Sequence, residues 1–283
     1  MTDNWGIIEP HGMRLGKSQG PNWTCLPAEV RLEILETITN QKHRGWASSA
    51  SVCKEWQGVI EKKNFHRLKL QVSCLHGFEH MIVRQRELVH HIWFSIELPK
   101  YTCQSCDSQT SQELADWRSS ATGCFTDAIW RLFRILATWQ PANTLTLELN
   151  AHCPSDSEHC FKAYIFDSDS EDEYEGLPSL QKAGQGFAEW HDPKHGWING
   201  QHLMAPSALA MVQLFGVVRG WPLRGLPEVV GVTTFIIRRQ LRRSLDFHTW
   251  DCIVDKLCRL EHLYYEPWRP YDSLMREMKD AGT

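Results

Sequence analysis

The sequence lacks any run of about 18 apolar residues, the length a helical membrane span requires, so no membrane partner is expected. It also lacks an excess of one charge. The formal net charge is −4 over 283 residues, whereas a general nucleic-acid or membrane-surface binder carries clustered positive charge. Only Arg238, Arg239, Arg242 and Arg243 form a basic cluster, expected on an exposed turn or against an acidic partner. The opening stretch has no basic segment leading into an apolar run, so no secretory signal is read. The ten cysteines are accordingly expected as reduced thiols in the cytosol or nucleus.

Catalytic signatures are missing as well. There is no GxSxG, P-loop, GxGxxG or HExxH, and no carboxylate or histidine pair stands out as acid and base. No catalytic residue and no cofactor is assigned, and the chain is not expected to be an enzyme. Cys103 and Cys106 have the spacing of half a zinc site, but a second Cys-x-x-Cys is lacking. Structural zinc needs four ligands. His152, Cys153, His159 and Cys160 are the nearest candidates to complete a set. Reduced structural thiols are the expectation, with Cys103 and Cys106 as weak metal candidates.

What is present begins with a leader over 1–23, rich in Gly, Asn and Pro. A very apolar block follows over 24–66. Pro27 suits a first helical position, because its missing N–H has no intrahelical partner there. Glu29 falls in the first turn, beside the positive end of the helix dipole. Val30, Ile34 and Ile38 recur at four-residue spacing. Thr39 to Gly45 breaks the pattern, and helical character resumes near Trp46, with Val52, Trp56, Val59 and Ile60. So small a unit leaves much of its apolar surface outside. That surface either packs on the rest of the chain or docks a partner, and periodicity does not choose between the two.

The texture then changes. Strand-like runs fall at 68–72, 92–98, 145–149, 232–237 and 262–265, with helix-like stretches near 76–89, 124–139, 204–218 and 247–259. The alternation predicts parallel strands joined by crossovers. The first two strands are about 25 residues apart and the last two about 29, near the period of leucine-rich repeats. The expected fold is α+β: a three-helix N-terminal module, then an irregular leucine-rich-repeat-like α/β body over 67–283. A compact α/β domain would give a similar alternation. The body carries an expected acidic insertion over about 150–202, where Asp167 to Glu175 holds six acids in nine residues. Ser168 and Ser170 each have an acid three residues on, a pattern open to an acidophilic kinase. Glu266-Pro267-Trp268-Arg269-Pro270-Tyr271 reads as a stiff loop capping the last repeat, or else as part of a substrate-facing surface.

One resemblance bears on the apolar block. Leu26-Pro27 with Glu29-Val30, then Ile34-Leu35, then Val52-Cys53-Lys54-Glu55-Trp56, resembles an F-box. The segments EKKNFHRLKL, HHIWFSIELPKYTCQSC, VVGVTTFIIRRQLRRSL and LCRLEHLYYEPWRPYD look like those of F-box proteins of filamentous fungi. The resemblance implies that the block binds a Skp-family adaptor and, through it, a cullin–RING ligase, while the body takes a protein substrate for ubiquitination. Carried over by position, Leu26, Pro27, Val30, Ile34, Leu35, Val52 and Trp56 match the apolar anchors. Ala47-Ser48-Ser49-Ala50 departs from the family, being small and polar where many members carry larger groups. Two alternatives stand beside this reading: an F-box scaffold working with the adaptor outside the ligase, and an unrelated α/β enzyme whose first helices mimic the motif.

Overall fold

A computed structural model describes residues 23–41, 45–102, 111–140, 144–161 and 191–267. Cys103, Cys106, Ser168, Ser170, the acidic run 167–175 and Trp268 to Tyr271 lie outside the described residues.

The chain enters through helix α1 (Ala28–Gln41). The carbonyl of Pro27 accepts from the Arg31 N–H at 3.1 Å, so proline stands one position ahead of the first helical residue. The helix runs to Gln41, past the break expected at Thr39. Thr39 is buried, and its hydroxyl donates to the Glu36 carbonyl, which lets a poor helix former stay in the last turn. Gly45, at φ 86°, turns the chain into a 3₁₀ segment, Trp46–Ser51. Helix α2 (Lys54–His66) follows and passes into strand β1 (Arg67–Gln71) with no residue between them. The expected boundary at 66/67 is therefore a direct helix-to-strand junction. Phe65 packs on the main core just before it.

From there the fold is a mixed α/β body on a five-stranded parallel sheet. Its strands are β1, β2 (His91–Glu97), β3 (Leu145–His152), β7 (Val232–Ile237) and β9 (His262–Tyr265), side by side in chain order. These are the five runs read from the sequence. Four shorter strands were not foreseen. β4 (Trp197–Ile198) and β5 (Gln201–His202) form an antiparallel hairpin, and β6 (Val217–Val218) pairs in parallel with β8 (Ser244–Leu245).

Alternation with a period of two sorts the strand residues onto two faces. One face carries Leu70, Ile92, Phe94, Ile96, Leu147, Leu149 and Phe235. It packs against α3 (Leu75–Met81), α4 (Ser111–Leu136) and α6 (Phe247–Asp255) as one core. Burying each Phe or Leu here stabilises the fold by about 1.5–3 kcal/mol. β7 reaches this face through a register shift. Leu145 pairs with Val232, yet Thr146 pairs with Thr234, so Thr233 is the extra residue of a bulge. That bulge puts Val232 and Phe235, three apart in sequence, on the same side.

Helix α4 starts at Ser111, well before the expected 124. Its first half is mostly solvent-facing and carries only a narrow apolar stripe, Leu114, Trp117 and Ala121. Trp117 anchors it, donating its indole N–H to the Pro99 carbonyl at 2.8 Å. The ends of the expected 150–202 insertion are built into the fold. Asn150 to His152 complete β3, and Cys160 and Phe161 form a second small core with Ala210, Met211, Leu214 and Phe215 of α5 (Ala208–Phe215).

The basic cluster is not a solvated turn. Arg243 is 4% exposed and makes two bonds to the Asp156 carboxylate, at 2.6 and 2.7 Å, and two to the Gln213 carbonyl. Its guanidinium lies 5.7 Å from the Trp117 ring centre. Arg242 is also buried, and Arg239 is the exposed member. Around Arg243 the chain closes further. Tyr101 donates to the Ser155 carbonyl, Ser155 donates to that of Tyr101, and the Cys153 N–H donates to Asp156. Burial and the Asp156 carboxylate push the Cys153 thiol above its ordinary range, so it acts as an inert packed group.

Candidate functional site

The helical tip is assembled by a charge pair that its sequence pattern hides. Glu55 accepts from the Trp23 indole at 3.0 Å and from Arg31 Nε at 2.9 Å, and Arg31 Nη1 also donates to the Leu26 carbonyl. Trp23 lies against Trp56, with ring centres 5.2 Å apart. Trp23, read as the last leader residue, therefore belongs to the tip. The two hydrogen bonds, Trp23 first and then Arg31, hold the Glu55 carboxyl below its ordinary range.

On α1, a turn of 100° per residue places Arg31, Leu35 and Thr39 together toward α2. Leu35 is 1% exposed, and with Ile60 of α2 it makes the small interior of the tip. Leu35 is thus a core residue and not a docking contact, because no partner reaches a side chain so enclosed. The stripe Val30, Ile34, Ile38 straddles the edge of that interior. Ile38 is half-buried, while Val30 and Ile34 remain 39% and 36% exposed. Leu32 lies on the opposite flank at 46%. Val52, between the 3₁₀ segment and α2, is 63% exposed, and Pro27 is exposed. Leu26 and Trp56 are half-buried.

The seven anchors therefore divide. Pro27, Val30, Ile34 and Val52 offer apolar surface to solvent, Leu26 and Trp56 offer part of theirs, and Leu35 offers none. Leaving several large aliphatic groups outside a short helical unit is what a docking surface looks like before its partner is bound.

A second surface belongs to the sheet. The residues that alternate with the core point to its other face: Arg67 and Lys69 of β1, His91, Trp93, Ser95 and Glu97 of β2, Glu148, Asn150 and His152 of β3, then Ile236, Arg238, His262 and Tyr264. Its centre is a polar network. Glu148 accepts from His91 Nε2 and from Arg238 Nε, both at 3.0 Å. Burial raises the Glu148 carboxyl, but the His91 bond and the Arg238 charge outweigh burial and bring it below its ordinary range. Ser95 and His152 bond at 3.1 Å. Lys69 Nζ sits 5.4 Å from the Trp93 ring centre. Arg67, Lys69, Glu97, His262 and Tyr264 are exposed. The face thus combines a fixed polar centre with an accessible aromatic and charged border.

No protein-family model, no curated protein and no solved structure matches the chain. The functional reading therefore rests on the two surfaces themselves. Among the described residues, no group of three or more His, Cys, Asp or Glu is placed to hold a metal ion. His152 bonds to Ser95, and Cys153 donates to the Pro99 carbonyl, so neither is turned toward a common centre. Sequence reasoning missed the Glu55 bridge and the Glu148 network. The one visible sign of the second was an acid inside Leu-Thr-Leu-Glu-Leu, which alternation assigns to the outward face.

Proposed function

We propose that this chain is the substrate-recognition subunit of an SCF-type cullin–RING E3 ubiquitin ligase. The helical tip is its F-box and binds a Skp-family adaptor. The body is leucine-rich-repeat-like and takes a protein substrate on the exposed border of the sheet's second face, around Arg67, Lys69, Glu97, His262 and Tyr264. The observation that carries this reading is the outward apolar surface of Pro27, Val30, Ile34 and Val52, on a tip whose interior is made by Leu35, Thr39 and Ile60 with half-buried Leu26, Ile38, Trp56 and Val59 beside them.

Two further features support it. Parallel strands in chain order, with the core helices on one face, are the arrangement a leucine-rich-repeat-like body requires. The direct α2-to-β1 junction, with Phe65 packed on the main core, leaves no linker between tip and sheet, and a receptor that must hold cargo at a set distance from a ligase uses such a connection. The junction favours the ligase reading over an F-box scaffold, where rigid spacing serves no evident purpose.

Co-expression with a Skp-family adaptor, followed by size-exclusion chromatography, tests the proposal. An equimolar complex that also captures a cullin is expected. A complex with the adaptor that never captures the cullin points to the scaffold. A folded chain that ignores the adaptor ends both.

A further inference from the structure

Helix α3 turns two histidines outward. Its inner face is Leu75 and Phe78, joined by Ile82 just past its end, all at most 3% exposed and part of the main core. These contacts hold the helix against the body. Its outer face carries His76, Glu79 and His80, all exposed. A turn of 100° per residue leaves His76 and His80 about 40° apart around the axis, one helical turn from each other. Histidines at i and i+4 on one helix face are a recurrent metal-binding arrangement.

The two ring centres are 5.0 Å apart. That is close to the separation a shared ion imposes. A zinc–nitrogen bond of about 2.0–2.1 Å, with about 1.1 Å more from nitrogen to ring centre, sets each centre about 3.2 Å from the metal. At a tetrahedral angle the centres then stand about 5.2 Å apart. Among the described residues neither ring has a hydrogen-bond or ion-pair partner to give up. Both side chains are exposed, and exposed side chains reorient within nanoseconds. Turning a nitrogen toward the ion therefore disturbs no packing.

The donor set narrows the ion. Two imidazoles suit zinc, copper(II) and nickel(II), whereas magnesium and calcium take oxygen ligands. No third His, Cys, Asp or Glu joins the pair among the described residues, so water fills the other positions. Glu79 adds a negative charge to the same outward side, which favours a cation. We infer that His76 and His80 chelate one divalent transition-metal ion of the zinc and copper class. The site lies on the helix side of the sheet, opposite the polar face.

Zinc titration of the reduced full chain tests the site, read on the imidazole ¹H–¹³C signals of His76 and His80, which His76→Ala and His80→Ala identify by their loss. Both signals are expected to move together and to saturate in the micromolar range. Two linked ligands bind about 10²-fold more tightly than one. His80→Ala is therefore expected to weaken the His76 response by about that factor, and His76→Ala the His80 response. Alanine is a better helix former than histidine and both positions are exposed, so each variant should keep the parent urea midpoint. Cys74 is an exposed thiol two residues before His76, and Cys74→Ser should leave the response unchanged. Magnesium should move neither signal. A His76 signal unmoved by about 1 mM zinc overturns the inference. So does a His76 response of full strength in His80→Ala, one that vanishes in Cys74→Ser, or an equal response to magnesium.

Discussion

Replacing Val30 and Val52 with aspartate should separate docking from folding. Val30 is 39% exposed and Val52 is 63% exposed, so neither is sealed inside the tip. Fully burying a side chain of this size contributes about 1.5–3 kcal/mol. Scaled by the exposed fractions, sealing the remainder of both under an adaptor contributes on the order of 1.5–3 kcal/mol in total. Losing it weakens the complex by roughly ten- to 150-fold. The figure is a floor, because an aspartate carried into an apolar contact adds its own desolvation cost. By the same scaling, the fractions of both side chains already covered in the folded chain set a loss of folding stability on the order of 1.5–3 kcal/mol, which is read separately from binding. Isothermal titration with a Skp-family adaptor measures the first quantity and urea denaturation the second. Ile60→Ala is the contrasting control. Ile60 is 0% exposed, so its truncation should cost about 2–5 kcal/mol of stability. A Val30→Asp/Val52→Asp chain that folds and binds the adaptor with undiminished affinity refutes the reasoning.

Arg243→Met should destabilise the body by about 3–5 kcal/mol in urea, since it strands the Asp156 carboxylate in the interior; adding Asp156→Leu should recover most of that loss, and a double variant no better than the single one would show that the ion pair is not the cause. Glu55→Ala should raise amide exchange over residues 23–31 without touching the sheet, because Glu55 alone joins Trp23 to Arg31; unchanged exchange there rules out the bridge as the fastener of the tip. Acid should weaken the fold in two steps. Burial, aided by His90 and nearby lysines, lowers the His66 ring below its ordinary 6.5, and Glu148 and Glu55 lie below their ordinary 4.5. Groups lowered on folding bind fewer protons folded than unfolded, so their stabilisation is present above the unfolded value and is lost as pH falls through the folded one. Urea midpoints should decline modestly below about pH 6.5 and more steeply below about pH 4.5, with Glu148→Gln flattening the second limb; a flat profile down to pH 4 contradicts these directions.

The five main strands were legible because alternation is a local signal, set by which side of a strand each residue faces. Leu145 to Leu149 and Val232 to Ile237 announce themselves within six residues. Helices α1 and α2 were legible for the same reason. The first half of α4 was not, because its inward stripe is only Leu114, Trp117 and Ala121 among polar residues, too narrow to stand out from a loop, and it is held by contacts such as Trp117 to Pro99. The arginine cluster was misread on composition. Four arginines in six residues suggest solvent, and nothing local reveals Asp156, 87 residues away, as the partner of Arg243.

The candidate site divides along the same line. Sequence alone determined that residues 26–60 carry more apolar side chains than a small helical unit can hide, and that parallel strands follow. Only the tertiary structure decided which of those side chains remain outside. Leu35 and Val30 lie five residues apart on one helix, and the packing of α1 on α2 buries the first and exposes the second. It also decided that Glu55, Glu148 and Arg243 are fasteners. Periodicity is written along the chain, whereas a charge pair depends on where two distant segments meet.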